Sequence, residues 1–362
     1  MRSVSQDTFY MARAIQLAKN GRYTTDPNPR VGCILVRNDV IIGEGWHAKA
    51  GLGHAEVEAL KNVQDANGAT AYVTLEPCSH QGKTPPCCDA LIKAGVSRVV
   101  FAMQDPNPLV SGRGLEKLKA AGCEVTCGVL QEDALALNRG FIKRMTENRP
   151  FVRSKLAMSL DGRTAMASGE SKWITSAEAR ADVHRLRAES SAILTGINTV
   201  LADDPALNAR VDWDVVQPVR VVLDSALNMP VTARMAQLAG RSLILTCSQD
   251  EKKRQALQSV GFEVYQLADK NSRLDLHAVM DFLAQQQINE LLVEAGSVLN
   301  GALLAEGLVD EWVVYMAPCI LGDQGRGLFT VPGLQSMADK KSLHLCDVRQ
   351  VGPDLKLTLT AP

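Results

Sequence analysis

His54-Ala-Glu56 and Glu76-Pro77-Cys78-Ser-His-Gln-Gly-Lys83-Thr-Pro-Pro-Cys87 form the stretch from which the rest of the chain is read. It offers one imidazole, two thiols and a carboxylate that need not be a ligand. Three protein ligands with a fourth position left to water is the plan of a catalytic zinc site, whereas structural sites close all four. Water at such a position has a pKa of roughly 7. Glu56, two residues from the histidine, is spaced to shuttle protons between that water and a substrate nitrogen. Taken singly, a core histidine and buried free thiols are ordinary; their joint arrangement with Glu56 points to zinc. A structural site closed by Cys88 or His80 is the rival. Adjacent thiols are awkward for one tetrahedral ion, so Cys87 rather than Cys88 is read as the ligand.

The sequence around this stretch alternates strands and helices. Thr8 to Lys19 carries apolar residues at helical spacing and stops at Asn20-Gly21. Gly32–Leu35 and Val40–Gly43 read as a hairpin turning at Asn38-Asp39. A strand from Ala71 to Leu75 delivers Cys78, and Cys87 opens a helix behind Pro85-Pro86. Both metal-binding segments therefore begin helices, whose N-terminal dipoles favour thiolate over thiol. A helix is expected over Glu132 to Thr146, ending at Arg149-Pro150, where the domain boundary falls: 1–148 and 149–362. The second part repeats the alternation and is read as a second α/β sheet.

Composition bounds the function. At 362 residues the chain has room for two ordinary domains, and 46% apolar with 22% charged residues is a globular balance. A formal net charge of −1 sets up no field that would gather nucleic acid or anionic membrane. No apolar run approaches the roughly 18 residues of a membrane span, and the first residues lack the apolar core of a signal peptide. Nine scattered cysteines suit metal ligation and burial in a reducing cytoplasm better than a disulfide framework.

A histidine, one residue, a glutamate, and later a Pro-Cys pair with a second thiol is also the pattern of zinc nucleobase deaminases. Here eight residues separate the two thiols where that pattern has two. The long Ser-His-Gln-Gly-Lys-Thr-Pro-Pro insertion resembles one branch, the bifunctional riboflavin-biosynthesis deaminase–reductases. Pro27-Asn28-Pro29-Arg30-Val31-Gly32, Gly45-Trp46-His47 and Thr74-Leu75-Glu76-Pro77-Cys78 resemble the same branch. So do Lys155-Leu-Ala-Met-Ser-Leu-Asp161-Gly162-Arg163 and Val200-Leu-Ala-Asp203-Asp204-Pro205. The resemblance implies an N-terminal cytidine-deaminase-like three-layer domain followed by a dihydrofolate-reductase-like domain. It also implies zinc, NADPH, a phosphoribosyl pyrimidine substrate, a cytoplasmic setting, and a homo-oligomer, a dimer.

By the same resemblance Glu56 is the catalytic acid–base, and His54, Cys78 and Cys87 are the zinc ligands. Asn28, His47, His80 and Lys83 then hold the substrate of the first domain. Asn28 lies between two prolines that stiffen its loop, which suits an amide reading a heterocycle's edge. In the second domain Lys155, Ser171, Arg187, Leu207, Arg210 and Glu294 would face substrate. Arg187 and Arg210 are natural phosphate anchors, because guanidinium pairs bidentately with phosphate oxygens. Ala157, Trp173, Thr199 and Asp203 would line the nicotinamide nucleotide with Gly296, Ser297, Val298, Leu299, Asn300, Gly301 and Ala302. Read from residues alone, Gly296 to Ala302 is a strand-to-helix turn whose N–H groups can receive a phosphate. No intact G-x-G-x-x-G appears, and Gly43-Glu-Gly45-Trp-His-Ala48 follows a hairpin strand, so a standard Rossmann domain is not expected. Two alternatives share features with this reading: a polynucleotide deaminase, which would need a basic groove, and a zinc-stabilised nucleotide sensor without catalysis.

Overall fold

The computed structural model describes residues 4–79, 85–107 and 111–361. The chain divides into two compact units, Met1–Asn148 and Arg149–Pro362.

In the first unit the elements run α1 (Val4–Ala18), β1 (Gly32–Arg37), β2 (Val40–Trp46), α2 (Ala55–Leu60), β3 (Thr70–Val73) and α3 (Cys87–Lys93). They continue as β4 (Arg98–Phe101), α4 (Arg113–Ala120), β5 (Glu124–Cys127), α5 (Gln131–Leu137) and α6 (Arg139–Glu147). The sheet order is β2-β1-β3-β4-β5, with β2, β1 and β3 antiparallel neighbours and β3, β4 and β5 parallel. Successive residues of a strand face opposite ways, so its apolar runs can feed two cores at once. Ile34, Val36, Tyr72 and Val100 pack under Met11, Ala14 and Ile15 of α1. Cys33, Leu35, Val73 and Phe101 face the other way, onto Ala55 and Ala59 of α2 and Leu91 of α3. The result is three layers, with the segments carrying His54 and Cys87 on the second face.

Asn38 and Asp39 turn the β1–β2 hairpin with φ of 50° and 63°, the pair of positive values a type I′ turn needs. Gly45 is a packing residue: a Cβ there would lie 2.3 Å from Ala59 N and 2.4 Å from Ala55 O, so only glycine lets α2 seat on β2. The expected single helix over Glu132 to Thr146 is instead two, broken at Asn138 with φ −121°. The cause is tertiary. The Asn138 amide accepts from Arg30 N (2.8 Å) and donates to Arg30 O (2.9 Å), while Arg30 also donates to Leu137 O (2.8 Å).

The second unit begins with β6 (Phe151–Ser159), β7 (Arg163–Ala165), α7 (Ala177–Glu189), β8 (Ala192–Gly196), α8 (Ile197–Asp203) and β9 (Val219–Leu223). Then come β10 (Ser242–Thr246), α9 (Glu251–Ser259), β11 (Glu263–Gln266), β12 (Asp269–Lys270), β13 (Arg273–Leu274) and α10 (Leu276–Gln285). The chain ends with β14 (Glu290–Val293), α11 (Ser297–Ala305), β15 (Glu311–Ala317), β16 (Arg326–Gly327), β17 (His344–Val351) and β18 (Asp354–Thr360). The main sheet has the order β11-β10-β9-β8-β14-β6-β15-β18-β17. It is parallel from β11 to β15 and antiparallel at β18 and β17.

Both faces of this sheet are covered. Leu194, Val221, Leu243, Val293 and Trp312 share a core with Val279 and Leu283 of α10 and Leu303 of α11. Ile193, Val222, Ile244, Leu292 and Tyr315 meet Val183 and Leu186 of α7 and Leu257 of α9. Asp182 of α7 is tied to the sheet by Tyr315 Oη–H (2.6 Å) and Lys356 Nζ (2.7 Å). Among the described residues no helix is long and apolar enough to cross a membrane.

Candidate active site

In the first unit His54 caps the start of α2 with extended backbone (φ −74°, ψ 162°). Cys87 is the first residue of α3, behind Pro86, and Cys78 follows β3. Nδ1 of His54 lies 3.2 Å from Cys87 Sγ and 3.6 Å from Cys78 Sγ, and all three donor atoms fall within 4.8 Å of one another. With ordinary zinc–sulfur and zinc–nitrogen bonds, the edge of a tetrahedron from N to S is about 3.6 Å. The donor set and its spacing therefore fit zinc. Among the described residues the group comprises these three. The thiol of Cys88 turns away, toward Pro77 O (3.2 Å) and Gly114 O (3.8 Å).

The two ligand sulfurs are shifted in opposite directions. A hydrogen bond from the Cys87 thiol, with help from His54 and against burial, brings Cys78 down to about 4. The same bond, with burial, pushes Cys87 up. Glu56 is buried, at 3% exposure, on the first turn of α2. Burial, then the charge of Cys78, raises its carboxyl to about 7.

Asn28 and His47 meet beside this cluster. His47 donates from Nδ1 to Gly53 O (3.0 Å), which leaves Nε2 to accept from the Asn28 amide (3.0 Å). Burial lowers the pKa of His47. Its ring stands edge-on to that of His54, centroids 5.4 Å apart. The Asn28 loop leads into Arg30, which Asn138 grips. His80 and Lys83 lie outside the described residues.

Sequence reasoning missed Glu76. Its buried carboxylate accepts four backbone N–H groups: Asp105 (3.2 Å) and Gly112 (3.0 Å) on one oxygen, Gly114 (3.0 Å) and Leu115 (3.1 Å) on the other. It thereby fastens the segment that carries Cys78 to the start of α4. The available signal was an acid between Leu75 and Pro77 at the end of an apolar strand, where a charge needs several donors to be tolerated.

In the second unit Arg187 of α7 grips Glu294, just beyond β14, through two hydrogen bonds of 2.6 and 2.9 Å, and donates to Asn208 O (3.2 Å). Burial pushes the Glu294 carboxyl up, but Arg187 and Lys155 outweigh it and hold the group below its ordinary value. Burial depresses Lys155, opposed by Glu294 and aided by Arg187. Nearby, Arg210 N–H donates to His184 Nδ1 (3.2 Å), and His184 is lowered to about 4 by burial, then by Arg187 and Arg210. Asn208 Oδ1 is buried with no partner among the described residues, a vacant acceptor beside this cluster.

Several of the expected site residues are engaged with other parts of the protein. Arg187 does not hold out an open fork, since Glu294 occupies it; the Arg210 side chain is the exposed one of the two. Leu207 has its side chain in the core at 3% exposure, with φ of +42°. Asn300 is fully buried, and its amide is spent on protein atoms. Gly301 packs against the main chain of Thr330, whose oxygen would lie 2.1 Å from a Cβ. Ser297 and Val298 remain at the surface end of α11, with Gly296 as its cap and Leu299 and Ala302 partly covered.

Trp173 is 71% exposed, with the Arg180 guanidinium 4.5 Å from its ring centre. Beside it Lys172 pairs with Asp203 at 3.1 Å, and Ser171 is exposed. Ala157 on β6 and Thr199 on α8 are each partly exposed. Ser225, at the carboxyl end of β9, shares the rim where open α/β sheets take ligands, and it was not read from sequence.

Comparison with known proteins agrees with this geometry. Residues 4–103 match the family described as cytidine and deoxycytidylate deaminase zinc-binding region, and residues 150–357 match the RibD C-terminal domain. The riboflavin biosynthesis protein RibD of Escherichia coli (strain K12) is 51% identical, over 98% of this chain and 99% of that protein. Its counterpart in Haemophilus influenzae is 48% identical over 98% of each. Among solved structures, Acinetobacter baumannii RibD (form 1) superposes with a TM-score of 0.94 at 46% identity, covering 99% of this chain and 100% of that one. A diaminohydroxyphosphoribosylaminopyrimidine deaminase/5-amino-6-(5-phosphoribosylamino)uracil reductase from Thermotoga maritima gives a TM-score of 0.87 at 34% identity, with 99% of each chain covered. A cytidine-deaminase-like domain thus precedes a reductase domain of dihydrofolate-reductase-like fold, and the chain belongs to the RibD family of bifunctional riboflavin-biosynthesis deaminase–reductases.

Proposed function

We propose that His54, Cys78 and Cys87 hold one zinc ion and that Glu56 is the acid–base group of hydrolytic deamination. The substrate is 2,5-diamino-6-ribosylamino-4(3H)-pyrimidinone 5′-phosphate. The second domain then reduces the ribosyl group with NADPH to give 5-amino-6-(5-phosphoribitylamino)uracil. The observation that carries the reading is the convergence of one imidazole and two sulfurs within 4.8 Å, with a buried glutamate two residues from the imidazole.

When bound, zinc acidifies water at its open position, and NADPH supplies hydride. Glu56 takes the proton of the attacking water and returns it to the amino group, which leaves as ammonia. Asn28 and His47, already hydrogen-bonded, orient the pyrimidine, with His80 and Lys83 completing the hold. In the second domain Lys155, Ser171 and Glu294 face the sugar, with the main chain of Leu207 beside them. Arg210 pairs with the 5′-phosphate, and Arg187 keeps Glu294 ionised. Ala157, Trp173, Thr199, Asp203 and the stretch Gly296 to Ala302 receive the nucleotide, with the buried Asn300 behind the turn.

A Glu56→Gln protein is expected to retain zinc by elemental analysis while ammonia release falls about 10²- to 10⁴-fold. Undiminished release would overturn the assignment. NADPH absorbance is expected to fall only when deaminated product is supplied; no loss with purified product would overturn the reductase half.

The chain acts in the cytoplasm on this small molecule as a homo-oligomer, a dimer, without nucleic acid or membrane. A net charge of −1 and unpaired cysteines support that setting. Sedimentation showing a monomer at assay concentration would remove the dimer.

A further inference from the structure

We infer that Asn300 and Ser154 are positioning residues for the nucleotide: they aim the turn that receives it and do not touch it. The inference rests on the NADPH reading of the second domain. Asn300 follows Ser297 as the second polar side chain of a largely apolar α11 and is fully buried, as is Ser154 on β6. Its Oδ1 accepts from Ser154 Oγ–H (2.6 Å), and its Nδ2 donates to Ala295 O (2.7 Å) and Gly296 O (3.2 Å). A buried amide in apolar surroundings is costly unless its hydrogen bonds are made. Here they are made to the strand-to-helix turn on one side and to the central strand on the other.

The direction of those bonds matters. In a trans peptide the C=O and the N–H of one unit point opposite ways. Drawing the carbonyls of Ala295 and Gly296 inward to Asn300 therefore turns the N–H groups of Gly296 and Ser297 outward. Among the described residues neither N–H has a partner. Outward N–H groups at the start of a helix are what an anionic phosphate needs. A second clamp works from the far side: Thr330 N–H donates to Ser297 O (3.0 Å), and Thr330 Oγ1 donates to Ser297 Oγ (3.0 Å). Gly301 lets the Thr330 main chain come that close. Ser154 sits opposite Val293 of β14, so the bond to Asn300 joins β6 to the turn into which β14 leads.

The test uses the full-length, zinc-loaded protein with Ser154→Ala and Asn300→Ala variants. Fluorescence titration is expected to raise the Kd for NADPH about tenfold in Asn300→Ala and a few-fold in Ser154→Ala, the size of one or two lost buried hydrogen bonds. In Ser154→Ala the KM for NADPH rises while kcat at saturating NADPH stays within about twofold, because hydride transfer itself loses no contact. Hydrogen exchange of the 293–301 segment, measured without nucleotide, is expected to quicken in both. Circular dichroism and the denaturant midpoint of each variant report whether the second unit is otherwise intact. If Asn300→Ala fails to fold, Ser154→Ala decides. Unchanged Kd with unchanged exchange overturns the inference, and so does a fall in kcat with Kd unchanged, which would make these residues catalytic contacts. A wild-type protein that binds no NADPH overturns the parent reading; a normal wild-type Kd with quickened exchange and unaltered variant Kd overturns this one alone.

Discussion

In the metal pocket of the first unit every working group is a side chain: His54, Glu56 and Cys87 at the starts of two short helices, and Cys78 on the segment after β3. At the turn from β14 into α11 of the second unit the outward groups are main-chain N–H of Gly296 and Ser297, and the nearby polar side chains face one another. The contrast has a physical origin. Zinc needs donors of particular chemistry, so residue identity is nearly the whole design. A phosphate needs donors pointing the right way, and backbone supplies them wherever the chain is held in the right shape. Substitution in the first site should remove chemistry; in the second it should loosen geometry or stability.

The sharpest challenge to that contrast is Cys78→Ser. Loss of one of three ligands is expected to empty the site of zinc and take ammonia release below detection. NADPH oxidation with deaminated product should persist, because that site shares no side chain with the pocket. A parallel loss of both activities would break the comparison. Next in size is Arg187→Met, which leaves Glu294 buried beside a vacated fork. Stranding one partner of a buried pair costs about 3–5 kcal/mol, so the second unit should unfold at clearly lower denaturant concentration. A change below about 1 kcal/mol, the range of surface pairs, would show that water reaches Glu294 freely.

The smallest effect concerns Asp182, on α7 of the second unit. Burial pushes its carboxyl up, but hydrogen bonds from Lys356 and Tyr315 prevail and hold its pKa below the ordinary 3.8. A depressed carboxyl pKa stabilises the fold above the unfolded value, and the contribution fades as pH drops through the folded value. Unfolding free energies from denaturant titration at pH 7 and pH 3 should therefore differ more for the native protein than for Asp182→Asn, by about 1 kcal/mol. Equal differences would mean that this carboxyl carries no pH-dependent stability.

The same contrast explains what the sequence made legible. His54, Glu56, Cys78 and Cys87 are rare chemical types within 34 residues, and the hairpin turn at Asn38-Asp39 is local, so both could be read directly. The break between α5 and α6 could not, because its cause is a bond between Asn138 and Arg30, 108 positions apart. Glu76 escaped for a like reason, its donors lying 29 to 39 positions further on. Arg187 was legible as a cation but not as one already paired with a carboxylate 107 positions away. The polar α9, with Leu257 as its buried residue, offered no apolar stripe to read.

Ser154 and Lys155 are neighbours on β6 and so project from opposite faces of the sheet. One holds the turn at Gly296 through Asn300; the other enters the electrostatic field of Glu294 and Arg187. Two neighbourhoods on opposite faces of the sheet are thus addressed by the parity of a single pleated ribbon. Adding or deleting one residue in β6 would exchange the two roles at a stroke, whereas a paired insertion would preserve them. This ribbon can drift in sequence, but it can change length only by even steps.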